Sequence, residues 1–174
     1  SAKIKMKIQG ENMSGQDKPE TNNFFTFNLG KGNFALPVKN VKEVLNYEPV
    51  SSVPKALPYI KGVMNIRGSV VTVIDLRTMF GFDPVKPIEK NSIIVTEIEQ
   101  ENAHPLTIGI FSDSVNNVAP LEIINADTAD YGVIPNRKDF ISGIGKIDGK
   151  FILILDLEKI LFSINAELEE NIEL

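Results

Sequence analysis

Asp75, Asp156, Arg67 and Arg77 are the residues whose types and positions could support chemistry in this chain. Each aspartate closes an apolar run, in "SVVTVIDLR" and "FILILDLEK", and the two arginines flank the first. A carboxylate pair with neighbouring cations is the equipment of acid–base hydrolysis or of a small ligand-binding barrel. A local reading competes with it. After each aspartate the apolar spacing changes to that of a helix: Leu76, Met79 and Phe80 follow Asp75, and Leu157, Ile160, Leu161 and Ile164 follow Asp156. An aspartate at such a boundary is an N-cap, worth about 1 kcal/mol relative to alanine. Caps bond to the amides of their own helices, whereas an acid–base pair must converge in one pocket.

Most other chemistry is excluded by composition. With no cysteine, the 174 residues form no disulfide, thiolate metal site or cysteine nucleophile. The single histidine, His104, sits in the polar turn "EQENAHPLTI" and reads as an exposed loop residue. Phosphate-cradling loops, HExxH and GxSxG are missing, and "GIGKIDG" precedes a strand where a dinucleotide loop would open a helix. No cofactor or metal is expected. A net charge of −5 with scattered basic residues argues against a nucleic-acid partner. No apolar stretch approaches the roughly 20 residues of a membrane helix, and the start lacks the apolar region of a signal peptide. A soluble, cytoplasmic protein without direct membrane insertion is expected.

The elements that would position these side chains come in two copies. Residues 1–22 are polar and read as a flexible tail. From Phe24 onward, runs of four to eight residues rich in Val, Ile and Phe alternate with Gly, Pro, Asn and Asp, the pattern of short strands in a barrel or sandwich. Shifted by 81 positions, residues 53–80 overlie 134–161 with seven identities in 28, including Gly62/Gly143, Gly68/Gly149 and Asp75/Asp156. Shifted by 74, "NFALPVKNVKEVLN" overlies "TIGIFSDSVNNVAP", pairing Val41 with Val115 and Val44 with Val118. Such a repeat suits two small pseudo-symmetric barrels of about five strands, one from residues 24 to 81 and one from 92 to 162. Residues 165–174 complete a C-terminal helix.

The copies differ where a turn is needed. In the second, Asp148-Gly149 forms the strongest short hairpin signal; in the first, Arg67-Gly68 takes its place. Folding does not call for a long cation there, and arginine is over-represented among interface hot spots. Val38, Val41, Val44 and Leu45 fall at helical spacing with Glu43 turned away from them. With Val115 and Val118 of the second copy, these valines could line a groove that receives a partner's amphipathic helix.

"GVMNIRGSVVTVIDLRTMFG" resembles the signature of CheW-like domains, N-x-R-G-x-x-x-P-x-x-D-L-R, with Asn65, Arg67, Gly68, Asp75, Leu76 and Arg77 in place and Thr72 where the pattern has proline. The resemblance runs from Phe24 to about Ile164. It implies a mainly β fold of two pseudo-symmetric, SH3-like five-stranded barrels with short helices, and a non-enzymatic adaptor of bacterial chemotaxis. Its implied partners are the cytoplasmic tips of chemoreceptors and the regulatory domain of the histidine kinase CheA, with ring assembly possible and with location at receptor arrays of the inner membrane. Carried over by position, Arg67, Glu43, Val41, Val115 and Val118 belong to the receptor-binding surface; the motif assigns no kinase-facing residue.

Overall fold

The computed structural model describes residues 23–83, 87–88, 90–124 and 138–172; the expected tail, residues 1–22, lies outside them. The order is β1 (Asn23–Leu29), β2 (Gly32–Pro37), β3 (Val41–Asn46), β4 (Ile60–Ile66), β5 (Ser69–Ile74), α1 (Leu76–Met79), β6 (Ser92–Ile98), β7 (Leu106–Ser112), β8 (Ser114–Pro120), β9 (Glu122–Ile124), β10 (Ile141–Ile147), β11 (Lys150–Leu155) and α2 (Leu157–Ile172). The class is as expected: mainly β, in two related sheets, with short helices and a long one at the C-terminal end.

The assignment of strands to sheets differs from the expected division at residues 24–81 and 92–162. One sheet runs β8-β1-β2-β11-β10-β9 and the other β3-β6-β7-β5-β4. Each therefore takes two strands from one half of the chain and its remaining strands from the other. The exchange follows from the connection after β2. Pro37, with no N–H and φ near −55°, leads into a 3-10 turn over Val38–Asn40, and the chain leaves the sheet instead of folding back as a hairpin. β2 is then free to pair in parallel with β11, and β7 with β5. Parallel neighbours require a long crossover, which here is the intervening chain itself.

The repeat is kept in the registers. Phe34 lies opposite Leu153, and its counterpart Ile108 lies opposite Thr72, the counterpart of Leu153. Thr72 also faces Val63, so the residue standing in place of the signature proline is central to the sheet and registered on both sides. The β4–β5 and β10–β11 hairpins carry register shifts at matching positions, Ile60/Gly62 and Ile141/Gly143.

Strand alternation distributes the apolar residues among three layers. Phe34, Leu36, Ile74, Ile94, Ile110, Leu153 and Leu155 belong to a central layer, which α2 extends with Leu157, Ile160, Leu161 and Ile164. Their alternates fill two separate interiors: Val73, Ile93, Val95 and Phe111 in one sheet, and Ala35, Ile152 and Ile154 in the other. Burial on both faces is why these strands read as continuous apolar runs. α2 also reaches across to the first half, where the Tyr59 hydroxyl donates to Glu167 Oε2 at 3.1 Å.

Candidate functional site

Arg67 and Gly68 form the two-residue tip of the β4–β5 hairpin, with φ of 52° and 84°; Asp148 and Gly149 take 48° and 74° at the tip of β10–β11. Both turns place two consecutive residues at positive φ, the type I′ arrangement that matches strand twist. Asn65 Oδ1 accepts the Gly68 N–H at 2.9 Å and so holds the first tip without help from the arginine side chain. The guanidinium is left for another purpose.

Arg67 Nη2 donates to Glu43 Oε2 at 2.8 Å. The two side chains differ in environment: that of Arg67 is 63% exposed and that of Glu43 only 10%. Glu43 lies on β3 and Arg67 on the β4–β5 tip, and β3 and β4 are opposite ends of the five-stranded order. The pair therefore links β3 to the hairpin at the other end of the sheet. Next to the tip, Val70 is 73% exposed, giving a cation and an apolar side chain on one projecting hairpin.

The valines separate by depth. Val41 is buried in the central layer, and Val115 is partly buried against it. Val41 keeps little free surface and Val115 is half-buried; of the expected wall, Val118 is the most open, at 36%. The helical spacing also proves to have another cause. Val41 and Val44, three apart, face Thr96 and Ile94, two apart; Val115 and Val118 face Phe27 and Phe25 in the same way. A β-bulge inserts one residue into the strand and turns a spacing of two into three. The segment is thus a 3-10 turn followed by bulged β3, and the bulge places Glu43 inward, where it needs the arginine.

The aspartates are caps. Asp75 Oδ1 accepts the Arg77 N–H at 2.9 Å, and Asp156 Oδ1 accepts the Lys159 N–H at 3.1 Å, each at the start of its own helix. They stand at the ends of β5 and β11, in different sheets, and share no partner among the described residues. Lys61 Nζ lies 3.8 Å from Asp75 Oδ2 and 4.3 Å from the Phe111 ring centroid, so its charge is spent within the fold. His104 is exposed, and no cluster of metal-ligating residues occurs among the described residues.

One polar centre joins Arg77 to a residue not singled out from sequence, Asp113. Arg77, at 1% exposure, donates from Nη1 to Asp113 Oδ1 and from Nη2 to the Asp83 carbonyl at 2.9 Å. The sequence holds a signal for it: in the self-alignments Arg77 overlies Glu158 and Asp113 overlies Lys39, so the equivalent pair, one residue from each copy, carries both charges reversed.

Comparison with known proteins follows the same outline. A model of the family described as CheW-like domain matches residues 23–165. The chain is similar to the chemotaxis protein CheW of Klebsiella aerogenes, at 28% identity over 166 residues, covering 95% of this chain and 93% of the relative. It is also similar to the chemotaxis protein CheW of Helicobacter pylori, at 27% identity, covering 84% of this chain and 85% of the relative. Among solved structures, the scaffolding protein TtCheW from Thermoanaerobacter tengcongensis superposes with a TM-score of 0.69 at 26% identity, covering 83% of this chain and 90% of that one.

Proposed function

The chain belongs to the CheW-like domain family, and we propose from that membership that it is a non-enzymatic adaptor coupling chemoreceptor cytoplasmic tips to the histidine kinase CheA. The observation that carries the reading is the β4–β5 tip. There Arg67 projects most of its side chain into solvent beside exposed Val70, on a turn whose folding needs are met by Asn65 and Gly68. An exposed cation next to apolar surface suits a partner helix that offers both carboxylates and apolar side chains. Glu43 orients that cation, Val118 supplies exposed apolar surface on β8, and Val41 and Val115 support the wall from beneath. The second partner is the kinase regulatory domain, and the assembly works in the cytoplasm at receptor arrays; contacts repeated by the pseudo-symmetric halves would allow rings. No helix among the described residues is long and apolar enough to cross a membrane, so attachment to the array runs through protein contacts in this proposal.

The test is a titration of fluorescently labelled protein with a receptor-tip fragment and, separately, with the kinase regulatory domain. Arg67→Glu and Val118→Asp are each expected to weaken tip binding about 5- to 30-fold, the loss of roughly 1–2 kcal/mol at an interface position. Because Arg67→Glu sets a second carboxylate against Glu43, a thermal melt accompanies each titration; Val118→Asp leaves that pair intact. Unchanged tip binding by both folded variants would remove this face from the site. Folded wild type that binds neither partner would overturn the adaptor reading.

A further inference from the structure

Among the described residues, Arg77 is the most enclosed charged side chain, and its pairing with Asp113 has a consequence for β8. Asp113 is the single residue between β7 and β8, and all of its polar atoms are engaged. Oδ1 accepts from Arg77 Nη1 and Oδ2 from the Gly30 N–H, both at 2.5 Å. Its carbonyl accepts from Asn91 Nδ2 at 3.2 Å, and its own N–H donates to the Asn28 carbonyl at 3.1 Å. One residue thus ties α1 and the β1–β2 turn through its side chain, and the approach to β6 through its carbonyl, to the start of β8.

β8 depends on that anchor more than an inner strand would. Among the described residues it stands at the end of its sheet with β1 as its one strand neighbour, and most of its residues are exposed. Its bulge is held by the Thr26 hydroxyl, which donates to the Asn117 carbonyl at 2.7 Å. The corresponding strand β3 lacks such a device. The counterparts of Asp113 and Arg77 are Lys39 and Glu158, both exposed, and no ion pair joins them. A pair with a buried arginine at only one of two equivalent positions is not required by the fold that both copies share. Arginine suits it because its planar fork reaches both Asp113 and the Asp83 carbonyl, which a lysine ammonium would not do in one geometry.

We infer that the Arg77–Asp113 pair is a positioning device for β8: it fixes the strand that carries Val118, and thereby sets receptor-tip affinity without touching the partner. The effect on affinity rests on the proposed receptor-binding face; the effect on β8 does not. Removing one partner of a buried pair leaves the other charge uncompensated, and the strain falls first on the strand attached to it.

The experiment pairs hydrogen exchange with the tip titration, on the full chain, for Asp113→Asn, Arg77→Met and Arg77→Lys. Asp113→Asn and Arg77→Met are expected to speed exchange of β8 amides at least 10-fold while those of the β10–β11 hairpin change less than 3-fold, and to weaken tip binding at least 5-fold. Arg77→Lys, which keeps the charge but not the fork, is expected to fall between Arg77→Met and wild type in both. Equal acceleration in β8 and β10–β11, or unaltered exchange throughout, would overturn the positioning role. So would loosened β8 with full tip affinity, if Val118→Asp abolishes binding in parallel. If wild type fails to bind the tip, the receptor reading falls, and the exchange pattern alone decides whether the pair positions β8.

Discussion

Gly62 and Gly143 occupy equivalent positions in the two halves, yet a methyl group is expected to have opposite consequences at them. At Gly62 a Cβ would stand 2.2 Å from the Ser51 carbonyl oxygen and 2.8 Å from its carbonyl carbon, backbone atoms that cannot swing aside, and φ is +154°. At Gly143 the nearest atom is Ile154 Cδ1 at 3.8 Å, an ordinary contact, with no unusual φ recorded. The contact at Gly62 is built by a bridge in which Ser51 N–H donates to the Val63 carbonyl at 2.9 Å and Val63 N–H to the Ser51 carbonyl at 2.8 Å. Relieving the clash means breaking that bridge, about 0.5–1.5 kcal/mol for each hydrogen bond, on top of roughly 1–3 kcal/mol for a non-glycine residue in this backbone region. Gly62→Ala should therefore cost about 3 kcal/mol or more, lowering Tm by roughly 6–12 °C for a chain of this size. Gly143→Ala should leave Tm within about 2 °C of wild type or raise it slightly, since removing glycine freedom from the unfolded chain favours folding. Thermal melts by circular dichroism, with urea titrations to give free energies, make the comparison. Equal Tm changes in the two variants, or a Gly62→Ala protein as stable as wild type, would refute the contact as the reason for this glycine.

Two further predictions concern charges. Arg67→Ala should destabilise the protein by about 1–2 kcal/mol, below the range for a fully buried pair because the guanidinium is largely in water; urea unfolding of Arg67→Ala, Glu43→Gln and the double variant should give a clear coupling energy, and strict additivity would deny that Glu43 relies on Arg67. Asp75→Ala and Asp156→Ala should each lose about 0.5–2 kcal/mol as N-caps, with Asp75 the costlier because it is buried and near Lys61 as well; replacement by Asn or Ser should recover most of either loss, and failure to do so in the same unfolding assay would count against the cap assignment.

Sequence by itself determined what depends on neighbours along the chain. The hairpin tips at Arg67-Gly68 and Asp148-Gly149, the caps at Asp75 and Asp156, and the duplication were all legible, because turn chemistry, capping and strand alternation are local. The resemblance also assigned Arg67 and Glu43 to one surface, and the fold pairs them. Tertiary structure decided which strand pairs with which: alternation reports that β2 is buried on both faces but not that β11, from the other half, is its parallel neighbour. It also decided depth. The bulge that makes Val41 and Val44 look helical turns Glu43 inward and buries Val41, and nothing in their spacing separates a bulged strand from a helix. Asp113 became important only when the fold brought Arg77 to it. A charge in a sequence carries no mark of its exposure; burial, and the need for a partner that burial creates, arises only when distant segments close over it.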